Sequence, residues 1–296
     1  MDPAPWAAVV VNYNAGTHLE TCVRSLLVDT SAGAPPEVVV IDNDSTDGSA
    51  DALERAVPDV TVVRAGENLG YTRGANRGIA VTRSPVVAVV NPDAEVTPGT
   101  AGALLARLDA EPDLGAVGPC VRAPDGSVYP SARSLPSTLD AVGHGVLGLV
   151  RPANAFTRRY RQLDADPERP RDVDWLSGSA IWLRRDALDA VGGWDERFFM
   201  YMEDVDLCWR LRGAGWRVAY EPAGEVVHVQ GLSTSQRPYR MIVEHHRSIG
   251  RFAAKRWHGP RRVLLAPASA YLAVRAGVVM VAHALAARRG RRDASG

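Results

Sequence analysis

Cysteine is scarce in this 296-residue chain: Cys22, Cys120 and Cys208 are few, odd in number and widely spaced. They form no CxxC pair and no disulfide framework, which fits a reducing cytoplasm. The phosphate-binding glycine signatures are missing as well. No GxGxxG follows the first strand pattern, and no GxxxxGK[ST] occurs anywhere. Dinucleotide-dehydrogenase and P-loop readings therefore lose their main support. The N-terminus enters an apolar strand pattern without a basic region and a cleavage site, so no signal peptide is expected. Long apolar runs are confined to 263–287, where Pro267, Arg275 and His283 interrupt the pattern. A central arginine costs about 2.5–3.5 kcal/mol on insertion scales. A helix lying on a membrane is expected there rather than a span, with packing on the protein itself as the alternative. Repeats and low-complexity tracts are absent.

What is present is a chain with 46% hydrophobic residues, enough for one large α/β domain or two smaller ones. The net charge of zero hides an asymmetry. Residues 251–296 hold ten of the 34 Lys/Arg and one of the 34 Asp/Glu. An acidic body carries a basic tail, which suits an anionic membrane surface or a phosphate-rich partner. A nucleic-acid partner is not expected.

Strand and helix patterns alternate through the first 110 residues. Strands are expected at 7–13, 37–42, 60–65 and 84–96, and helices at 17–27, 45–57, 72–82 and 98–110. The Val runs fit strands buried on both faces of a mainly parallel sheet flanked by helices. Beyond 115 the alternation fails. A hairpin is expected around 123–128, a polar mobile loop at 151–172, strand character at 173–185 and 225–229, and a helix at 236–257.

Ligands of open parallel sheets bind outside the carboxyl ends of the strands. Here those ends read "NYNAG" (12–16), "DNDSTDGS" (42–49), "ENLGYTRGANRG" (67–78) and "NPDAE" (91–95). Asp42 and Asp93 stand at strand ends, able to accept from a base or ribose or to hold a divalent metal bridging a diphosphate. Asp47 is expected to cap the helix after the second strand. Farther on, "FFMYMEDVDLCWRLRGAGW" (198–216) places Glu203, Asp204 and Asp206 among aromatic residues, where a carboxylate is costly without a partner. Asp206 and Arg210, four apart, are expected to pair on a helix.

Taken in order, "VVVNYN", "VVIDNDSTDGS", "NLGYTRGANRGI", "VVNPDAEV", "WLSGSAIWLRR", "GGWDERFFMYMEDVDLCWRLRGAGW" and "VVHVQG" span residues 7–231. This combination resembles the family 2 glycosyltransferases, and within them the rhamnosyltransferase-like members. The resemblance implies the GT-A fold: an α/β, Rossmann-like sheet in a domain at 1–235, with the nucleotide-sugar half near 1–115 and the acceptor half near 116–235. A helical, basic, membrane-associating extension would follow at 236–296. It implies an inverting, metal-dependent transferase using Mg²⁺ or Mn²⁺. The donor would be a dTDP- or UDP-sugar, with L-rhamnose from dTDP-rhamnose the best fit. The acceptor would be a polyprenyl-diphosphate-linked GlcNAc at the cytoplasmic face of the membrane.

By the same resemblance, Asp204 is the general base. Val11, Asn12, Tyr13, Asn14, Asp42, Asn68, Gly70, Arg73, Asn76, Asn91 and Asp93 would serve the nucleotide sugar. Trp175, Gly178, Trp194, Asp195 and Glu203 would shape the acceptor pocket, and Asp93 with His228 would manage the metal. The family's metal motif is usually DxD; here Asn91 takes the first position, and an amide oxygen is a weaker ligand than a carboxylate. Asp93 would then anchor the metal with help from the diphosphate. The rivals are a transferase with a UDP-sugar donor or a soluble acceptor, a catalytically silent sugar-nucleotide-binding module, and a nucleotidyltransferase. The last would need a Gly/Arg/Lys-rich loop after the first strand, which this chain lacks.

Overall fold

The computed structural model describes residues 4–148, 151, 153–231 and 236–293, with the side chains of the last helix described as far as Ala286. Its first half runs β1 (Trp6–Asn12), α1 (His18–Val28), β2 (Glu37–Asp42), α2 (Ser49–Ala56), β3 (Thr61–Arg64), α3 (Tyr71–Val81), β4 (Val86–Val90), β5 (Ala94–Val96) and α4 (Thr100–Ala110). The second half runs β6 (Leu114–Arg122), β7 (Val128–Tyr129), β8 (Ala132–Arg133), α5 (Thr138–Leu147), α6 (Ala155–Arg161), β9 (Arg171–Asp172), β10 (Trp175–Leu176), β11 (Ala180–Arg184), α7 (Arg185–Val191), α8 (Glu203–Gly213) and β12 (Arg217–His228). Helix α9 (Pro238–Arg256), a 3₁₀ turn (Gly259–Leu264) and α10 (Leu265–Asp293) close the chain.

The main sheet has the order β3-β2-β1-β4-β11-β6-β12-β5, with β7 beside β6 and β9 beside β12. Strands β3, β2, β1 and β4 are parallel, as their alternation with helices requires. The second half is mixed, because β11 enters antiparallel between β4 and β6 while β6 and β12 run parallel. Successive residues of a strand face opposite sides. On β1, Trp6, Ala8 and Val10 therefore enter the core covered by α1 and α4, while Val9 and Val11 enter the one covered by α3, α7, α8 and α9.

Three features differ from the sequence-based expectation. The stretch 84–96 is two strands, because Pro92 has no N–H for a ladder. The chain turns at Asn91–Asp93, and β5 pairs with the far strand β12, Ala94 opposite His228. The stretch 151–172 contains α6, capped by Asn154, and β9 instead of being loop throughout. The late strand is twelve residues long instead of five. The hairpin holds: Ala123 N–H donates to Ser127 O, and β6 pairs with β7. The helix expected at 236–257 is α9. Its Phe252 belongs to the main core, so this helix is part of the domain's packing.

Candidate active site

One cavity of about 590 Å³ opens where β1, β4 and β12 end. The turn after β4 lifts Asp93 to its rim: Asn91 N–H donates to Ser179 O, and Ala94 N–H to Asn91 O. Strand β12 brings His228 alongside, its Nε2 3.0 Å from Asp93 Oδ1 and 3.3 Å from Asn91 Nδ2. Asp93 and His228, 135 residues apart, thus meet because β5 and β12 pair. The buried His228 Nδ1 has no partner among the described residues. Those residues also hold no group of three or more His, Cys, Asp or Glu side chains suited to a metal.

Across the cavity stands the start of α8. Tyr201 and Met202 both have positive φ, 68° and 65°, a region that is costly for non-glycine residues. Their consecutive left-handed turns aim Glu203 and Asp204 into the cavity at the helix N-terminus, where the dipole favours negative charge. Asp204 accepts from Gly178 N–H (3.0 Å) through Oδ2 and from Val205 N–H (2.8 Å) through Oδ1. Burial raises its pKa above the ordinary carboxylate range, and these two bonds together with the nearby Arg133 charge oppose the rise. Glu203 is pushed higher, by burial and then by Asp204, and its Oε2 has no partner among the described residues. Hydrogen bonding distinguishes the two: Asp204 has two backbone N–H donors that favour its ionised form, whereas Glu203 Oε2 has none among the described residues.

The "NLGYT" stretch holds this turn in place. Tyr71 N–H donates to Phe199 O, Tyr71 Oη to Gly178 O (2.7 Å) and Thr72 Oγ1 to Phe198 O (2.6 Å). Gly70 has φ +80°, and a Cβ there would stand 2.6 Å from Phe199 O. Glycine is required at this position by both conformation and close approach.

Of the residues predicted for the site, Val11, Tyr13, Asn68, Gly70, Asn91, Asp93, Trp175, Gly178, Glu203, Asp204 and His228 line the cavity. Asn12 and Asp42 lie just behind its wall: Asn12 Nδ2 donates to Asp42 Oδ1 and to Ser49 Oγ, both at 2.9 Å. Asn14 bonds to the Thr46 N–H and to Gln236 at the outer edge. Four other residues expected at the site lie outside the cavity lining. Arg73 faces Glu196 at 3.6 Å on the exposed side of α3. Asn76 ties α3 to the Trp194 backbone, accepting from its N–H and donating to its O. Trp194 is buried edge-on against Tyr71. Asp195 is held by Arg197 and Lys255. All four brace the 193–204 segment from outside the cavity. The N-cap of α2 is Gly48 and not Asp47, although Asp47, one residue earlier, accepts from the Ser49 N–H; Asp206 pairs with Arg210 at 2.7 Å as expected.

Sequence reasoning missed the far wall: Tyr129, Arg133, Tyr160 and Arg161, together with Arg237, Arg240, Met241 and His245 at and near the start of α9. It also missed Lys255, the single lysine among 34 basic residues. Lys255 Nζ lies 2.6 Å from the fully buried Asp206 and 2.7 Å from Asp195. One lysine in an otherwise arginine-only chain was the available signal.

The profile of the family described as "Glycosyl transferase family 2" matches residues 7–192. A protein of Mycobacterium tuberculosis (strain ATCC 25618 / H37Rv) named N-acetylglucosaminyl-diphospho-decaprenol L-rhamnosyltransferase is 44% identical over 270 residues, covering 86% of this chain and 87% of the relative. A pre-mycofactocin glycosyltransferase of the same organism is 32% identical over 200 residues, 64% of this chain and 37% of its own length. Among solved structures, the mannosyltransferase PcManGT from Pyrobaculum calidifontis, in complex with GDP-Man and Mn²⁺, superposes with TM-score 0.54 at 19% identity. That match covers 97% of this chain and 78% of the other. GalNAc-T7 with UDP, GalNAc and Mn²⁺ gives TM-score 0.56 at 15% identity, covering 76% and 43%. The GT-A fold and the family read from the motifs are both borne out.

Proposed function

The chain belongs to glycosyl transferase family 2, and from that premise we propose that it moves L-rhamnose from dTDP-rhamnose to a polyprenyl-diphosphate-linked GlcNAc, with inversion. The observation that carries the donor and acceptor is the 44% identity, over most of both chains, to a rhamnosyltransferase named for that acceptor. Inversion needs one displacement at the anomeric carbon and one base for the acceptor hydroxyl. Asp204 suits the role of base, held by two backbone N–H groups that favour its ionised form and set in the cavity wall. Desolvation gives it a greater proton affinity than a surface aspartate, which helps it take a proton as the acceptor oxygen attacks. Burial raises the pKa of Glu203 beside it, and in its protonated form Glu203 can donate a hydrogen bond to a sugar hydroxyl.

The donor diphosphate belongs at the opposite rim. Asp93 and His228 supply one carboxylate oxygen and one imidazole nitrogen only 3.0 Å apart, a donor set that fits Mg²⁺ or Mn²⁺ once diphosphate oxygens complete the shell. The cation would offset the charge that develops on the leaving nucleotide. To ligate a cation through Nε2, His228 would have to leave Nε2 unprotonated, with Nδ1, which has no partner among the described residues, as the donor.

We place the enzyme on the cytoplasmic face of a membrane. Val274, Val278, Val281 and Leu285 form an exposed apolar stripe on α10, and Leu139, Val142 and Val146 are exposed on the neighbouring α5. Residues 259–286 are long and apolar enough to cross a membrane. Arg275, however, turns inward to Gly145 O and His246 Nε2, which favours a helix packed on the domain with one face against lipid.

The test is a turnover assay with UDP-, GDP- and dTDP-sugars, Mg²⁺ or Mn²⁺ and a short-chain GlcNAc-diphospho-prenol, with an EDTA arm. Turnover of dTDP-rhamnose alone, lost with EDTA, is expected. Turnover of a different donor overturns the rhamnose assignment and leaves the family intact. Donor binding without transfer to any acceptor would favour the silent binding module.

A further inference from the structure

Arg133 has an unusual setting for a charged side chain. It is 7% exposed, on β8, which pairs only with β10 in a small second sheet. Its guanidinium carbon lies 4.8 Å from the Trp175 ring centroid, 5.3 Å from that of Tyr129 and 5.8 Å from that of Tyr160. It hydrogen-bonds neutral oxygens, Pro130 O (2.6 Å) and Tyr129 Oη (2.6 Å), with the Tyr160 hydroxyl also at hand; Asp204 feels its charge across the cavity, but no carboxylate forms a direct ion pair with it among the described residues. Buried guanidinium groups ordinarily have a paired anion. On the same wall Arg161, the last residue of α6, also lacks a carboxylate partner among the described residues, and its buried Nε has no hydrogen-bond partner there. Both side chains line the cavity that Asp204 faces. They reach it from β8 and α6, not from the strand ends that carry Asp93 and His228.

We propose that Arg133 and Arg161 form an anion subsite that binds the diphosphate of the acceptor, separate from the donor diphosphate site at Asp93 and His228. The chemistry matches: planar guanidinium groups bind phosphate oxygens through charge-assisted, often bidentate hydrogen bonds. The aromatic rings hold Arg133 in one orientation, so little rotamer entropy is lost on binding. The position matches as well. A sugar whose hydroxyl reaches Asp204 would carry its own diphosphate toward this second wall, and the lipid would continue past α6 and α5 toward the exposed apolar residues of α5. The inference rests on the lipid-linked acceptor proposed above and adds the residues that select it.

The experiment compares two acceptors with the same alkyl chain, GlcNAc-diphospho-prenol and a neutral GlcNAc alkyl glycoside, at saturating donor. The readout is the ratio of their kcat/KM values in the unaltered enzyme, Arg133→Gln and Arg161→Gln. The ratio cancels any effect of Arg133 on Asp204 itself. In the unaltered enzyme it should favour the diphosphate, and it should fall about tenfold or more in each variant, as loss of a hydrogen bond to a charged group implies. Arg161→Gln, at a half-exposed position, keeps the test available if Arg133→Gln fails to fold. A ratio unchanged within about twofold in an active variant overturns the subsite alone. Weakened donor binding by calorimetry would assign the arginines to the donor and also overturn it. Absence of turnover with either acceptor in the unaltered enzyme would sink the acceptor reading, and the subsite with it.

Discussion

Glu203 and Asp204 are adjacent buried carboxylates with different hydrogen-bond settings. Burial and the neighbouring Asp204 raise the Glu203 pKa, and glutamine mimics its protonated form. Glu203→Gln is expected to keep kcat/KM within about tenfold, a loss no larger than one neutral hydrogen bond allows, measured by steady-state kinetics. The pH profile follows from the same pair. Only ionised Asp204 accepts a proton, and burial raises its pKa, so activity rises with pH through that raised value. The acid limb of kcat/KM should sit above the ordinary aspartate value of about 3.9. A limb at or below it would contradict the buried setting. The acids were legible in the sequence because carboxylates among Phe, Tyr and Trp need a reason. Arg133 was not, because a lone arginine in "PSARSL" reads as a solvated charge until the three rings around it are seen. That Arg73, Asn76, Trp194 and Asp195 lie outside the cavity lining was not legible for a related reason: membership of a motif does not say which side of the wall a side chain faces.

At the level of elements, the site depends on how α3, α8 and α9 brace one turn. Lys255 on α9 bonds to Asp206 on α8 and to Asp195, and Ser248 Oγ donates to Met200 O. Removing Lys255 leaves buried acids short of a partner. Lys255→Met should cost about 3 kcal/mol, the low end of the range for breaking a buried pair, because Arg210 still faces Asp206. Denaturant unfolding midpoints check this. Gly70→Ala forces a strained φ and a clash with Phe199 O, and should destabilise by about 1–3 kcal/mol or more on the same measurement. The parallel strands were legible from their Val runs. The break at Pro92 was written in the sequence but lay inside a continuous apolar pattern. The polar, Pro-rich composition of 151–172 concealed α6. The basic charge of the C-terminal region drew attention to a membrane and away from the inner face of α9, where Met241 and Phe252 are buried.

For the molecule as a whole, the proposed function puts the donor on one face of the domain and lipid against the α5–α10 side. Val274→Glu with Val278→Glu should abolish flotation with anionic vesicles, since both residues are exposed and a charge on the lipid-facing stripe opposes insertion. Added salt should weaken flotation of the unaltered protein through its basic tail. Flotation that survives both changes would remove this face from the membrane. The sequence disclosed the overall order of motifs because GT-A strand ends converge on one edge. It could not disclose the meeting of Asp93 with His228, which depends on β5 crossing the sheet to pair with β12.

The most direct test of Asp204 as the base is the single-turnover rate of sugar transfer by Asp204→Asn with donor and acceptor both bound. Loss of the base should slow transfer about 10²–10⁴-fold while the donor dissociation constant stays within about twofold of the unaltered enzyme, a shift of less than one neutral hydrogen bond. Transfer within about tenfold of the unaltered rate, well short of that loss, would show that another group takes the acceptor proton and that the turn at 201–204 serves a different purpose.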